Sequence, residues 1–322
     1  MTTRQKLPLL VLLGPTAAGK TELSLRLAEE LGTDIISGDS MLLYRGFDIG
    51  SAKPTKEELM RVRHHLVDVL DADESFSVTE FVTRVSELVQ THECEGRLPF
   101  IVGGTGLYIK ALVEGYGFNE TQEHACFRRA MERIAVRRGN VRVHAFLAQR
   151  DPRAAERLHM NNLRRVIRAI EVIRYGAERI SQESALAGGD TPYDAFVIGL
   201  TRERARLYER INARAEEMFA AGLADEVAGL LARGVQRDAS AMKGIGYKET
   251  AAYLAGEMSQ AEAVDAIQKA TRHFAKRQLT WYRRMPYIRW YDADALTETE
   301  LLQHILTDVR AWKEERERGA QA

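Results

Sequence analysis

Short apolar runs alternate with segments of helical periodicity over the first third of the chain. Residues 21–31 and 76–90 carry apolar side chains at every third or fourth position, which is typical of a helix with one buried face. The apolar runs are nearly continuous, as in strands buried on both faces of a parallel sheet. They cover residues 9–13, 34–37, 65–70 and 98–102. The alternation predicts an α/β fold with a doubly wound parallel sheet.

The pattern changes near residue 120. Residues 120–187 have helical character almost throughout, with arginine-rich faces and no strand candidate. A short apolar run at residues 195–200 then indicates that the chain returns to the sheet. We expect a smaller, all-helical domain at residues 120–194, inserted between the two parts of the core at residues 1–119 and 195–322.

Helical spacing dominates the rest of the chain. It covers residues 202–233, 248–256 and 259–281, and a strand-like run at residues 287–291 precedes a final helix. The charged stretch at residues 313–318 is expected to be frayed and exposed to solvent.

The charge of the chain is balanced, with 46 Lys+Arg and 46 Asp+Glu among 322 residues. This balance excludes a uniformly basic nucleic-acid binder, but not a protein that sorts its basic residues onto one face. The apolar run at residues 7–13 is too short for a signal peptide, and no window reaches the roughly 18 apolar residues that a membrane span needs. With two isolated cysteines, these features predict a cytoplasmic protein with no membrane partner and no structural zinc.

One short segment resembles part of a metal-site signature. His92, Glu93 and Cys94 match a fragment of the zinc-deaminase pattern, but the downstream paired cysteines are missing. We therefore interpret the segment as a solvated helix end.

A glycine-rich motif connects the first predicted strand to the first predicted helix, and it fits GxxxxGK[ST] at every fixed position. Its residues are Gly14, Pro15, Thr16, Ala17, Ala18, Gly19, Lys20 and Thr21. Backbone N–H groups of such a loop converge on phosphate oxygens, the helix amino terminus adds partial positive charge, and Lys20 adds a full one. The hydroxyl of Thr21 can bind Mg²⁺. The motif predicts a P-loop NTPase-like core that binds a phosphorylated ligand, with a purely structural glycine turn as the alternative.

Two further segments follow predicted strands and should face the phosphate loop, because chemistry gathers at the carboxyl ends of parallel strands. Asp39 follows the second strand, where a carboxylate can bind Mg²⁺, accept a proton from a nucleophile or merely cap a helix. The other segment, Gly103 to Gly106, offers close backbone approach and one hydroxyl, although alone it is a weak turn signal.

Basic residues are sorted into clusters. Residues 269–289 contain seven Lys and Arg and no acid, with Trp281 and two tyrosines among them. Two more arginine clusters lie in the predicted insertion, at residues 128–138 and 164–179. Three such clusters favour a polyanionic partner such as RNA over the alternative of solvated helix faces paired with acids.

A regular spacing of four residues relates Arg202, Arg206, Arg210 and Arg214, which would lie along one side of a helix. One of them can reach the phosphate pocket and form a second anion site. Pairing with glutamates of the same helix explains most of them at least as well.

Seven motifs follow one another along nearly the whole chain. They are GPTAAGKT at residues 14–21, DS...Y.G.DIG.AKP at 39–54, GGTGLYIKAL at 103–112, DP..A..LH..N..R..RA.EV at 151–172, LYERINAR ending at 214, GIGYKE at 244–249 and AKRQLTWYRR at 275–284. In this order and spacing they resemble the bacterial tRNA dimethylallyltransferases, also called tRNA isopentenyltransferases.

The resemblance implies transfer of a dimethylallyl group from dimethylallyl diphosphate to the exocyclic N6 amine of the adenosine immediately 3′ of the tRNA anticodon. The phosphate loop then binds the diphosphate of the prenyl donor and not a nucleotide. Asp39 matches the family's general base, and Arg214 matches the arginine that steadies the diphosphate. Lys20 and Thr21 would neutralise the leaving group, with Mg²⁺ as the cofactor beside Thr21.

The resemblance also implies contacts with the tRNA anticodon stem-loop, made by a protein that we expect to be a monomer. These contacts are Asp39, Ser40, Met41, Leu42, Thr105, Arg128, Arg164, Arg165, Val166, Ile167, Arg168, Lys243, Gly244, Ile245, Gly246, Tyr247, Lys248, Lys276, Arg277, Gln278, Trp281 and Arg283. Four positions depart from the family pattern: Leu42 stands for Gln, Ser51 for Thr, and Met160 and Asn162 for Pro and Asp. The departures affect how bases beside the target are recognised, not the type of reaction.

Three other functions stay open on the sequence alone. A small-molecule P-loop kinase would use Asp39 as base or metal ligand, but it leaves the basic clusters unexplained. An adenylate isopentenyltransferase would run the same chemistry on a free nucleotide, although such proteins usually lack a large helical insertion. A non-catalytic RNA-binding module is disfavoured because Lys20 and Thr21 are intact.

Overall fold

A computed structural model describes residues 6–116, 124–176 and 191–321 of the chain. It divides into two compact units, one formed by Met1–Val113 with Pro192–Ala322 and the other by Glu114–Thr191. The boundaries predicted at residues 119/120 and 194/195 lie within six residues of this division. Residue 120 and the predicted helical stretch at residues 177–187 fall outside the described residues, as does Arg179 of the second insertion cluster.

The larger unit is built on a six-stranded sheet in which every pair of neighbours is parallel. The strands are β1 (Leu7–Leu13), β2 (Ile35–Ser37), β3 (His64–His65), β4 (Phe100–Gly103), β5 (Tyr193–Thr201) and β6 (Ile288–Asp292). Their order is β3-β2-β4-β1-β5-β6, which places β1 in the interior of the sheet. The predicted doubly wound parallel sheet is confirmed.

Helices account for most of the remaining described residues. They are α1 (Lys20–Leu31), α2 (Lys56–Arg61), α3 (Val78–Cys94), α4 (Gly106–Val113), α5 (Ala125–Arg138), α6 (Asn140–Ala148), α7 (Pro152–Arg157), α8 (Leu163–Tyr175), α9 (Arg204–Ala220), α10 (Leu223–Ala232), α11 (Tyr247–Leu254), α12 (Gln260–Tyr282) and α13 (Glu298–Gln321). Ser77 and Ser259 begin α3 and α12 with capping boxes. The helical stretch predicted at residues 202–233 is two helices, because Gly222 has a φ of 99° and interrupts the helical backbone.

The strand predicted at residues 65–70 is wrong beyond its first residue. Only His64 and His65 pair with β2. Leu66 and Asp68 have φ values of 60° and 54°, in the left-handed region that an extended strand excludes. The apolar residues of this segment are buried because the loop packs on the core, so burial alone produced the strand-like pattern.

Alternate residues of β1 enter two different layers of the core. Leu9 and Val11 pack on one face of the sheet, in the layer that contains Phe81 of α3. Leu10 and Leu12 pack on the other face, in the layer that α1 and α13 cover. The period of two explains why the run is apolar without interruption.

The smaller unit is all-helical in its described part, residues 124–176. Helices α5 to α8 bury a core of their own around Val143, Leu147 and Ile170. None of the helices in the described ranges of either unit is long and apolar enough to cross a membrane.

The frayed carboxyl-terminal tail expected from the sequence is not observed. Helix α13 continues to Gln321, and Trp312 is buried against Phe196 with ring centroids 5.5 Å apart. Arg316 forms an ion pair with Asp194 and donates a hydrogen bond to the carbonyl of Lys6 at 2.7 Å. The charged residues form the outer face of a packed helix, which a count of charges does not distinguish from loose chain.

Replacing Trp312 by Ala should lower the free energy of unfolding by about 3 to 5 kcal/mol, because it empties a buried aromatic site. Denaturant unfolding followed by circular dichroism measures the change. Lys313→Ala, on the exposed side of the same turn, is the control and should stay within about 0.5 kcal/mol of the native chain. Equal, small effects of both changes would mean that the tail is frayed after all.

Candidate active site

The phosphate loop lies at the carboxyl end of β1 and closes around its own lysine. Lys20 donates hydrogen bonds from Nζ to the carbonyls of Gly14 at 3.0 Å and Pro15 at 2.9 Å. Gly19, with a φ of 100°, turns the backbone into α1. The loop is therefore folded in an anion-binding conformation, with its lysine held at the start of the helix.

Three of the predicted catalytic side chains lie close to one another. Burial lowers the pKa of Lys20 from 10.5 to about 8, while the charge of Asp39 opposes this shift and that of Arg214 adds to it. Burial also lowers the pKa of Arg214, and Asp39 again opposes the shift. Lys20, Arg214 and Asp39 thus share one electrostatic environment, in which Glu217 and Arg210 also act on Arg214.

Two arginines bind the backbone of the phosphate loop, Arg202 from just before α9 and Arg210 from within it. Arg202 donates from Nε to the carbonyl of Ala18 and Arg210 donates from Nε to that of Ala17, both at 2.9 Å. Arg202 also pairs with Asp294 at 2.5 Å. Sequence reasoning expected one arginine of this series at the pocket, whereas two hold the loop and a third, Arg214, lies beside its lysine. The four-residue spacing was the signal for this whole set.

The loop after β2 presents Asp39 and is held by the glycine-rich loop after β4. The backbone N–H of Ser40 donates to the hydroxyl of Thr105 at 3.1 Å. A Cβ atom on Gly103 would lie 2.3 Å from the carbonyl carbon of Gly38, so the two backbones approach closely only because that side chain is missing. The segment at residues 103–106 therefore forms a turn and also allows the backbone at Gly38 to pack closely against it.

The two oxygens of the Asp39 carboxylate lie in different surroundings. Its Oδ1 accepts a hydrogen bond from the backbone N–H of Met41 at 2.9 Å, a local turn contact. Its Oδ2 faces Gly104, where an added Cβ would lie 3.6 Å away. One oxygen fixes the side chain, and the other remains on the side of the glycine-rich loop.

A buried amide connects the two loops. Gln278 of α12 accepts a hydrogen bond at Oε1 from the backbone N–H of Thr16 at 3.0 Å, and its Nε2 donates to the carbonyl of Gly104 at 2.9 Å. The hydroxyl of Tyr282 donates to the same carbonyl at 2.8 Å. Sequence reasoning assigned Gln278 to RNA contact; the structure uses its amide inside the fold, a role for which the sequence carried no separate signal.

A second, partly buried network holds the segment that matches DIG.AKP. Glu226 accepts from the backbone N–H of Ile49 at 2.7 Å and from the hydroxyl of Tyr247 at 2.8 Å. Ser51 donates from its hydroxyl to the carbonyl of Phe47 at 2.6 Å, so this departure from the family pattern keeps the hydroxyl of threonine. Glu226 was missed from the sequence, because nothing in its local pattern distinguishes it from a surface acid. Nothing in the structure explains the departures at Met160 and Asn162.

The predicted RNA contacts divide by exposure. Several are exposed: Arg164, Arg165, Lys243, Lys248, Lys276, Arg277 and Arg283. Ser40, Met41, Leu42, Thr105, Gly244, Ile245 and Trp281 are partly exposed. The side chains of Val166, Ile167 and Tyr247 are buried, with Gly246 and Gln278. The buried side chains present no surface to an RNA, so any contact there would come from neighbouring groups.

Two predicted RNA contacts in the smaller unit bind an acid. Glu171 is fully buried and accepts hydrogen bonds from Arg128 and Arg168, each at 2.7 Å. Burial alone would raise the pKa of Glu171, but the two guanidinium groups and the backbone N–H of His124 lower it to about 2. Part of the positive charge of these clusters is therefore neutralised within the fold, which was the alternative left open for them.

Thr21 offers a plausible magnesium ligand. It is exposed in the first turn of α1, next to Lys20, and its side chain forms no hydrogen bond with the residues the structure describes. Mg²⁺ commonly takes one or two protein ligands and completes its shell with phosphate oxygens and water. The residues present fit an ion held mainly by a bound diphosphate.

Comparisons with known proteins bear on the whole chain. A family model described as IPP transferase matches residues 42–285. Relatives called tRNA dimethylallyltransferase, from Bacillus anthracis and Bacillus cereus (strain 03BB102), are each 45% identical over 296 residues, which cover 92% of this chain and 94% and 93% of theirs.

Solved structures agree with these matches. The full-length tRNA isopentenylpyrophosphate transferase from Bacillus halodurans has a TM-score of 0.74 at 40% identity and covers 98% of this chain and 100% of its own. A tRNA delta(2)-isopentenylpyrophosphate transferase from Staphylococcus epidermidis has a TM-score of 0.70 at 36% identity, over 94% and 99%. A eukaryotic dimethylallyltransferase acting on tRNA, at 23% identity, shares the fold with a TM-score of 0.83 over 96% of this chain and 80% of its own. The predicted P-loop NTPase-like fold is confirmed, and the chain belongs to the IPP transferase family.

Proposed function

We propose that the chain transfers a dimethylallyl group from dimethylallyl diphosphate to the N6 amine of the adenosine immediately 3′ of the anticodon in tRNA. The observation that carries the proposal is the grouping of Asp39 with Lys20 and Arg214 beside the phosphate loop. Family membership and the names of the relatives support the same reaction.

The carboxylate and the two cations of this group meet two different requirements of the reaction. The lone pair of an adenine amine is delocalised, so alkylation of N6 requires removal of a proton, and Asp39 accepts it. As the new N–C bond forms, the allylic C–O bond breaks and the diphosphate takes the electron pair. Lys20, Arg214 and the N–H groups of the loop stabilise that growing charge, each donor contributing about 3 to 4 kcal/mol in comparable sites.

Mg²⁺ beside Thr21 would supply further neutralisation of the diphosphate. The hydroxyl of Thr21 is placed at the helix start where the phosphates are expected. Asp39 is not needed as a metal ligand in this arrangement, which leaves its carboxylate available as the base.

The tRNA is proposed to approach along the carboxyl-terminal half of α12. Lys276 and Arg277 are exposed on this helix, whose Gln278 and Tyr282 bind the glycine-rich loop. Arg283 and Arg284 are exposed just after its end. Exposed cations neutralise RNA phosphates, and the target base must leave its stack to reach Asp39. An unpaired loop base is cheaper to extract than a base in a duplex, which suits the anticodon loop. Since its substrate is tRNA, we infer a cytoplasmic location, and we propose that a monomer suffices.

Incubation with labelled dimethylallyl diphosphate tests the function directly. Unmodified tRNA should acquire the label at the adenosine 3′ of the anticodon, and AMP at equal concentration should not compete. Labelled AMP would point to an adenylate isopentenyltransferase, and phosphate transfer from ATP to a metabolite would point to a kinase.

Asp39→Asn should lower turnover by about 100-fold or more, because it removes the base while leaving an oxygen to accept from Met41. Affinity for tRNA, measured by filter binding, should stay within a factor of two or so of the native value. Asp73→Asn, which alters an exposed carboxylate in another loop, is the matched control. Near-native turnover in Asp39→Asn would remove this residue from the mechanism.

Replacing Arg277 and Arg283 by Ala should weaken tRNA binding and reduce the slope of log affinity against log salt by about 0.7 to 0.9 per lost phosphate contact. Affinity for the prenyl diphosphate should not change. Arg310→Ala, on the exposed face of α13, serves as the control. An unchanged salt slope in the double variant would move the RNA surface elsewhere.

Affinity for inorganic diphosphate should fall as the pH rises through about 8, by up to about tenfold per pH unit, because Lys20 loses its proton there. Without ligand, the free energy of unfolding should gain a contribution between pH 8 and 10.5, where the unfolded chain keeps the proton that the folded chain has lost. Calorimetry with the native chain and Lys20→Gln measures both. A pH step near 8 that persists in Lys20→Gln would assign the titration to another group.

A further inference from the structure

Three potential metal ligands lie close together at the end of the sheet opposite the phosphate loop. Asp34 directly precedes β2, His65 belongs to β3, and His92 lies in the last turn of α3. They are therefore at the amino ends of the strands, whereas the phosphate loop follows the carboxyl end of β1. This cluster plays no part in the proposed transfer reaction.

The ligand atoms are spaced as a small coordination site requires. Nε2 of His65 lies 2.9 Å from Oδ2 of Asp34, and Nε2 of His92 lies 3.9 Å from the same oxygen. All three atoms lie within 4.8 Å of one another. Tetrahedral Zn²⁺ with bonds of about 2.0 to 2.2 Å separates its ligands by about 3.3 Å. The pairs of atoms that are further apart than this would have to approach by up to about 1.5 Å to reach that geometry.

The imidazole of His92 is prepared for a ligand. Its side chain is 1% exposed, and its Nδ1–H donates to the carbonyl of Leu88 at 2.8 Å. This bond fixes the tautomer that leaves a lone pair on Nε2. That buried nitrogen has no hydrogen-bond partner among the described residues and faces Asp34. The sequence-based interpretation of His92 as part of a solvated helix end is therefore wrong for this residue, although Glu93 and Cys94 are exposed.

Arg97 orients the carboxylate. It pairs with Oδ1 of Asp34 at 2.7 Å, which turns Oδ2 toward the two histidines. Partners of this kind commonly fix the ligands of metal sites. Asp34 and His65 are 13% and 16% exposed, so an ion has a path to the site from solvent.

We propose that Asp34, His65 and His92 bind one Zn²⁺ ion, which ties the starts of β2 and β3 to the end of α3. Two imidazoles and one carboxylate suit zinc better than the oxygen-seeking Mg²⁺ of the phosphate site. Water completes the shell, and a bond from the ion to Nε2 of His65 replaces the hydrogen bond that this nitrogen forms with Asp34. The expectation of no structural zinc rested on cysteine spacing. It did not consider Asp34, His65 and His92, which are separated by 31 and 27 residues in the sequence.

Zinc titration of the full chain, without a histidine tag and after treatment with a chelator, tests the site. Competition with a chromogenic chelator should report one tightly bound equivalent, and Zn²⁺ should raise the unfolding midpoint of the native chain. His92→Gln and His65→Gln should each weaken binding by about 100-fold or more, since loss of a mere supporting partner already costs 10- to 100-fold.

His64→Gln is the matched control, because His64 neighbours His65 but bonds to the carbonyl of Val62. Binding by the native chain with no loss in either cluster variant, or no bound equivalent at all, would overturn the proposal. If His92→Gln does not fold, the partly exposed His65→Gln decides between the outcomes. Replacement of Zn²⁺ by Co²⁺ gives an independent readout, since tetrahedral coordination should produce visible absorption that His65→Gln lacks.

Discussion

The arrangement of the active site depends on a single buried amide. Gln278 accepts from Thr16 of the phosphate loop and donates to Gly104, so it fixes the separation of two loops that follow different strands. The loop bearing Asp39 packs in turn on the glycine-rich loop through Gly38 and Gly103. The distance between Asp39 and the phosphate loop therefore depends on α12, and a buried amide bonded on both sides tolerates little displacement.

Positive charge is concentrated beside the phosphate loop. Lys20 and Arg214 are partly buried and act on each other, with Asp39 opposing both charges and Glu217 opposing that of Arg214. An anion at the loop would reduce the repulsion between these cations as well as add contacts. Arg202 differs from them, because it is paired with Asp294.

Features that depend on local sequence patterns were predicted correctly, whereas contacts between residues far apart in the sequence were not. Strand β1, the phosphate loop and the clustering of Lys20 with Asp39 follow from motif and topology, since parallel strands deliver their carboxyl ends to one edge. The extension of β3 to residue 70 failed because burial in a loop imitates burial in a strand. The ion pair of Glu171 with Arg128 and the hydrogen bond of Thr16 with Gln278 join residues 43 and 262 positions apart, which no periodicity reveals.

The packing of α13 on the sheet also affects how the chain is made. Leu10 and Leu12 of the interior strand belong to the same core layer as Ile305, Leu306 and Trp312. During translation, the ribosome therefore makes the residues of β1 about 300 residues before it makes the residues of α13 that pack on them. Until α13 has been made, the part of that face which α1 leaves uncovered is open to solvent and to other apolar surfaces. Docking of α13 therefore withdraws this apolar surface from contact with other chains, which limits aggregation during synthesis.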